Sequence, residues 1–213
     1  MQNVSWILPE KPCWLDSSET EFANDCFIKG EIQSLPTPAM KISLSYKSHN
    51  NISKTFEIPI SKIFEINEDA PVLGIEDMVN LPCFNEPELL ANLKIRYKND
   101  IIFTYIGPTL LIINPYKILP IDFSSETIQK YKAYTMKTEK FLLNENPPHI
   151  FANAGLAYRQ LFEQNRNQAM IISGESGAGK TESVKYMMKF IAALSSTETE
   201  KLQSKQHFLK IVS

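Results

Sequence analysis

The sequence predicts a small all-β module followed by a mixed α/β layer, a sheet flanked by helices, and three observations predict it. Met40 to Tyr46 and Thr55 to Ile60 alternate apolar and polar residues with the period of half-buried strands. From about residue 87 onward that period gives way to apolar spacings of three and four, the signature of helices with one buried face. Among those helices lies the glycine-rich stretch Gly174-Glu175-Ser176-Gly177-Ala178-Gly179-Lys180-Thr181, set between a short apolar run and an apolar helical face.

In the first 65 or so residues, Cys26 to Ile32 is a further strand candidate, with Trp14 nearby. Pro59 cannot donate to a ladder and is expected on an edge. Glu65 to Pro71, polar and ending in proline, reads as a linker. A helix is expected over Pro87 to Tyr97, where proline suits a first turn and Leu89, Leu90, Leu93 and Tyr97 make a face. Ile101 to Ile113 is the longest apolar stretch, but Thr104, Gly107, Pro108 and Thr109 interrupt it, so it reads as a hairpin and cannot span a bilayer. A second helix runs from about Ser125 to Glu139 with serine available as a cap. A third spans Ile150 to Glu163 with Ile150, Ala154, Ala157, Tyr158 and Leu161 on one side. Ala169-Met170-Ile171-Ile172 reads as a strand, and the helix after the glycine-rich loop carries Val184, Met187, Met188, Ile191 and Leu194. From Ser195 to Lys201 the chain is polar and aperiodic, a surface loop.

Composition narrows the function classes. With 213 residues and 43% hydrophobic content, the chain can build one large or two small cores. A net charge of −2 gives no basic field for nucleic acid or anionic lipid. No basic segment followed by an apolar core stands at the N-terminus, so a secretory signal is not expected. Three widely separated cysteines suit reduced thiols in a cytosolic protein, which makes the sequons at Asn3 and Asn51 incidental. His49, His149 and His207 have no ligand spacing. Neither a G-x-S-x-G nor a paired-carboxylate pattern competes as catalytic machinery. Ile118 to Asp122 imitates an apolar strand ending in a metal-binding aspartate, but Pro120 argues against a central strand.

Residues 174–181 match G-x-x-x-x-G-K-[ST], a pattern that average residue frequencies produce by chance about once in a hundred chains of this length. The flanks raise its meaning, because a phosphate loop needs a strand before it and a helix after it to aim backbone amides at an anion. Three of the seven glycines fall inside this stretch. Glycines let the backbone turn and approach phosphate oxygens, so successive N–H groups form an anion nest at the positive end of a helix. Lys180 then reaches the β- and γ-phosphates and the Thr181 hydroxyl ligates Mg²⁺. The plain alternative is a glycine-rich turn with a surface lysine.

With Glu175, Ser176 and Ala178 in its variable positions, the loop resembles the phosphate loop of myosin motors. Pro147 to Leu161 resembles the segment that leads into that loop, and Asn167-Gln168 fits as well. Upstream, Asp77-Met78-Val79-Asn80-Leu81-Pro82, Asn85-Glu86-Pro87, Leu89 to Leu93, Arg96-Tyr97 and Thr104 to Gly107 follow the motor's opening stretch in order. Ile113-Asn114-Pro115-Tyr116-Lys117 is similar to its adenine-side loop. The resemblance covers about residues 72 to 194.

It implies an α/β P-loop NTPase fold, an incomplete motor head, over residues 72–213, preceded by a small SH3-like barrel over residues 1–65 that acts as a packing module. The adenine-side loop would be residues 114–122 and the phosphate loop 174–181. ATP and Mg²⁺ are the implied cofactors, with Gly174, Glu175, Ser176, Gly177, Ala178, Gly179, Lys180 and Thr181 around the phosphates. Asn114 and Pro115 lie on the base side, Lys180 is catalytic, and Thr181 is the metal ligand. The implied activity is that of an actin-based Mg-ATPase in the cytoplasm and cytoskeleton, with actin filaments as partner and light chains on a neck outside this chain. In the family, two switch segments and the actin-binding surface lie C-terminal to the phosphate loop, and the expectation is that they fall beyond Ser213. A second reading is a non-hydrolysing, truncated or degenerate motor head that holds nucleotide or partners without turnover. A small-molecule kinase is a distant third, disfavoured by the upstream motifs.

One position departs from the family pattern. Where a tyrosine usually follows Pro-Ile, Pro120-Ile121 is followed by Asp122. A carboxylate cannot offer an aromatic face to a purine ring. Asp122→Tyr is therefore expected to tighten ATP binding, and an unchanged dissociation constant in a direct titration would refute that role for the position.

Overall fold

A computed structural model describes residues 5–16, 18, 26–47, 53–119, 123–136 and 146–198. The chain forms two compact units, one from residues 1–72 with 81–94 and the other from 73–80 with 95–213.

The first unit is built on one antiparallel sheet. Its strands are β1 (Pro12–Asp16), β2 (Phe27–Ile32), β3 (Lys41–Lys47), β4 (Ser53–Pro59) and β5 (Ile63–Glu65), in the spatial order β4-β3-β2-β1-β5. The two strands expected from alternation are β3 and β4, and the further candidate over Cys26 to Ile32 is β2. Pro59 does sit on an edge strand, opposite Lys41. A single 3₁₀ turn, Ile60–Lys62, joins the two edge strands, so the sheet curls. Period-two burial supplies the core: Cys13, Leu15, Ile32, Ile42, Leu44 and Ile58 point to one side with Ile7, Ile60 and Ile63. Burial pushes the Cys13 thiol up to about 12, so it behaves as a small hydrophobe.

The helix α1 (Glu86–Lys98) corrects the sequence reading of its face. Leu90 and Tyr97 are substantially exposed, and the buried stripe is polar: Glu88, Asn92 and Arg96, four residues apart. Hydrogen bonds make this burial tolerable. In the first unit, the Glu88 carboxylate accepts from the Trp14 indole at 2.6 Å and from the Asn67 backbone and side-chain amides at 3.2 and 2.6 Å. Asn85 caps the helix by accepting from Glu88 N at 3.1 Å. In the second unit, Arg96 donates to Thr104 Oγ1 and to the Phe103 carbonyl, both at 2.8 Å.

The second unit carries the hairpin of β6 (Phe103–Ile106) and β7 (Thr109–Ile112). Gly107, at φ +59°, takes the first position of its two-residue loop, which calls for positive φ. Its N–H donates to Asp77 Oδ1 at 2.9 Å. Asp77 also forms a parallel bridge with Tyr105. Three helices follow: α2 (Ser125–Met136), α3 (Ile150–Glu163) and α4 (Lys180–Glu198). Ser124 caps α2, accepting from Thr127 N at 3.1 Å. The His149 ring nitrogen Nδ1 caps α3, accepting from Phe151 N at 3.0 Å.

Three expectations for this unit are corrected. Met170–Ile172 is extended but holds only a single bridge residue, Ile171, because among the described residues no strand pairs along it. On α4 Met187 and Leu194 are buried and Val184 and Ile191 pack against the same core, as expected, but Met188 is half exposed and Phe190 takes the buried place the stripe had left out. The helix also runs through Ser195 to Glu198 where a loop was expected. Ser195 Oγ donates back to the Ile191 carbonyl at 3.0 Å, which lets serine stay helical. Residues 137–139 of the second predicted helix and 199–201 of the predicted loop lie outside the described residues, as do Asp122, His49, His207, Asn3 and Asn51.

Gly155 of α3 lies close against Thr135 of α2. A Cβ there would lie 2.2 Å from Thr135 Oγ1, whose hydroxyl already donates to the Tyr131 carbonyl at 2.8 Å. Gly155→Ala is expected to lower unfolding free energy by about 1–3 kcal/mol through overpacking, measured as a fall in the urea midpoint at constant slope.

Candidate functional site

The loop of residues 174–179 leads directly into α4, which begins at Lys180. Gly177 and Gly179 take φ of +81° and +94°, a backbone closed to residues with a Cβ, so glycine is required there by conformation. A Cβ on either would meet nothing nearer than 4.0 Å, so crowding is not the reason. Ala178 N donates to the Glu175 carbonyl at 3.1 Å, closing the turn. The first backbone bond of α4 runs from Ser183 N to the Gly179 carbonyl at 2.9 Å. The N–H groups of Lys180, Thr181 and Glu182 therefore precede the helical ladder and carry the positive end of the helix dipole.

Lys180 adds a full charge to that end. Its ammonium donates to the carbonyls of Gly174 at 2.7 Å and Glu175 at 3.1 Å. An ammonium has three donors, so one remains for an anion beside the loop. Thr181 lies exposed on the first turn of α4, and Ser176 is exposed at the loop tip. A cavity of about 530 Å³ opens here, walled by β7, by Met170–Ser173 and by Ala178, Lys180, Ser183 and Met187.

The predicted base-side residues are brought to the same place. Asn114 Nδ2 donates to the Gly177 carbonyl at 2.8 Å, while its Oδ1 accepts from Tyr116 N at 3.0 Å. One side chain thus closes an Asx turn in its own loop and holds the phosphate loop. The Pro115 carbonyl accepts from Tyr97 O–H at 3.5 Å, and Lys117 pairs with Asp100. Sequence reasoning placed Asn114 on the base side but missed its clasp on Gly177. It also missed the positive φ of Tyr116, +50°, and the exposure of its ring. The Asn-Pro dipeptide, a turn initiator, was the available signal.

This arrangement suits a polyphosphate: unpaired helix amides, a lysine with a spare donor, and glycines in conformations that bring backbone N–H groups together. Among the described residues no cluster of three acidic, histidine or cysteine side chains could hold a metal ion.

The model of the family described as "Myosin head (motor domain)" matches residues 75–212. The chain belongs to the myosin head family. It is 36% identical to "Myosin-7" of Arabidopsis thaliana over 172 residues, 81% of this chain and 9% of that protein. It is 39% identical to "Unconventional myosin-VI" of Sus scrofa over 149 residues, 70% of this chain and 11% of that one. It is 47% identical to "Myosin IA heavy chain" of Dictyostelium discoideum over 133 residues, 62% of this chain and 13% of that one. The chain thus spans about a tenth of the length of these relatives. The myosin head match contains the hairpin, α2, α3, the Asn114–Lys117 loop and the glycine-rich loop of residues 174–181. No helix among the described residues is long and apolar enough to cross a membrane.

The Asn114 clasp generates a test. Asn114→Asp keeps the acceptor for Tyr116 N but loses the donor to Gly177, so the phosphate loop is expected to loosen. Hydrogen exchange of the 174–180 amides should quicken while α2 is unchanged, and an unaltered loop would show that the clasp holds nothing.

Proposed function

We propose that this chain forms the nucleotide-binding opening portion of an actin-based Mg-ATPase motor of the myosin family. The observation that carries the reading is the clasped glycine loop, where Lys180 and the unpaired amides of α4 converge while Asn114 ties the base-side loop to Gly177. Gly174, Glu175, Ser176, Gly177, Ala178 and Gly179 would wrap the phosphates of ATP, and Asn114 and Pro115 would lie toward the base. Lys180 would neutralise charge on the phosphates, and the Thr181 hydroxyl would hold Mg²⁺. A cation held there would neutralise charge on the phosphates. The division into an SH3-like barrel over 1–65 and a motor portion over 72–213 belongs to the same reading, as do actin as partner and a cytoskeletal location. The curled five-stranded sheet of the first unit supports the barrel.

The second reading, a motor head that binds nucleotide without turnover, takes its support from Asp122, which stands where the family usually has a tyrosine. Steady-state phosphate release with and without filamentous actin separates the two: actin-stimulated turnover supports the motor, and bound but unhydrolysed ATP supports the second.

Both readings place Lys180 on the phosphates. Lys180→Ala is expected to weaken MgATP binding by about tenfold or more, the loss of a charge-assisted contact, and to abolish any turnover. Full activity in that variant would refute the assigned role.

A further inference from the structure

We propose that the first unit carries a binding site for a methylated ammonium group, lined by Trp6, Phe64 and Phe84 with the Glu65 carboxylate beside them. A cavity of about 310 Å³ lies within that unit, at the lower end of the range for small-molecule sites. Its walls come from three stretches of chain: Trp6 with Ile7, the 3₁₀ turn with β5, and residues 82–85 ahead of α1. Ile7, Ile60 and Ile63 belong to the core of the sheet, so the side of the cavity that they line is apolar and packed.

The aromatic side chains there are not used up by the fold. Phe84 is 57% exposed and Trp6 is half buried. Among the described residues neither ring pairs with another aromatic ring. Phe64 meets Phe27 edge to face with centroids 5.5 Å apart.

Glu65 is the one charged side chain among the described residues that line the cavity. The lysines around it are already paired, Lys62 with Asp16 and Lys11 with Glu68, both at 2.9 Å. Among the described residues Glu65 has no ion-pair partner of its own. Burial, and after it the charge of Glu65, pushes the Cys83 thiol on the same wall up to about 11, so the wall disfavours added negative charge. Both ends of the Asn85 amide are engaged, Nδ2 donating to the Glu65 carbonyl at 2.9 Å and Oδ1 accepting from Glu88 N at 3.1 Å.

Elimination fixes the ligand class. An anion would meet the Glu65 charge, and a neutral apolar group would strip water from that carboxylate without replacing it. A primary ammonium brings three donors that each need an acceptor, and the lining side chains offer it the one carboxylate. A methylated ammonium needs few or no hydrogen bonds. Its charge is balanced by Glu65 and its methyl groups rest against aromatic rings, which attract a cation through the ring quadrupole.

Chemical-shift titration of the 213-residue chain, followed at the Trp6 indole N–H, tests this. Choline is expected to bind about tenfold or more tightly than neohexyl alcohol, its uncharged carbon isostere, and than ethanolamine, which lacks the methyl groups. Phe84→Leu changes an exposed ring to an apolar chain, so the fold is retained, and it should weaken choline about fivefold. Glu65→Gln should weaken choline about threefold and leave neohexyl alcohol unchanged. The amide of ε-trimethyllysine should compete with choline for the same resonance; tighter binding of the amide assigns the group to a peptide side chain, and tighter binding of choline assigns it to a free headgroup. Choline binding no better than neohexyl alcohol, choline affinity unchanged in both variants, or a Trp6 resonance that none of these ligands shifts overturns the site.

Discussion

The packing of Phe151 against Phe190, ring centroids 4.6 Å apart and planes within 10°, fixes the axis of α4, and the phosphate loop can be aimed no better than that axis. Both rings are fully buried. They belong to an aromatic cluster in which His149 lies 4.4 Å from Phe103, 4.5 Å from Phe151 and 4.7 Å from Tyr131, centroid to centroid. Removing a buried phenylalanine costs about 3–5 kcal/mol, whereas a neutral hydrogen bond such as the Asn114 clasp contributes about 1 kcal/mol. The cluster therefore decides whether the site exists, and the clasp decides how well it is held. An isolated two-stranded hairpin is marginal in water. The hairpin of β6 and β7 persists because Phe103 is part of this cluster and because Arg96 ties its backbone to α1.

What the sequence made legible follows from which signals are local. Alternation found β3 and β4, since each of those strands carries its own burial pattern. Gly107-Pro108 marked the hairpin, since turn chemistry lies in two adjacent residues. The glycine-rich loop was readable because its φ requirements and its lysine are encoded in eight consecutive positions. The strands β1 and β5, five and three residues long, are too short for a period to register.

Signals that depend on distant groups were not legible. The buried face of α1 is polar because Glu88 meets Trp14 and Asn67 while Arg96 meets Thr104, and no window of local sequence contains those partners. Burial even draws the Arg96 pKa down, opposed by Glu76, an expense that only its two hydrogen bonds make tolerable. On α4 the expected face was right at Val184, Met187, Ile191 and Leu194 and wrong only in taking Met188 for Phe190, because the partner that selects Phe190, the Phe151 ring, lies on another helix. Met170–Ile172 has strand composition without a strand, because apolar alternation encodes burial and a ladder needs a neighbour.

The site's geometry also explains why a short polar side chain connects its halves. A phosphate loop recognises charge, which acts over a distance and tolerates small displacements. A loop that takes up charge binds best when it is held in place before its ligand arrives, since ordering it on binding subtracts from affinity. Asn114 links the two loops through only two χ angles, between the backbone of one and the carbonyl of the other. A lysine or glutamine could reach Gly177 as well, but each would lose more rotamer freedom in doing so and neither would close the Asx turn that holds Tyr116. The strain at Tyr116 and the glycine conformations at Gly177 and Gly179 are then parts of one device. The backbone is forced into unusual conformations on both sides of a single amide, and the aromatic core beneath supplies the stability that lets it stay there.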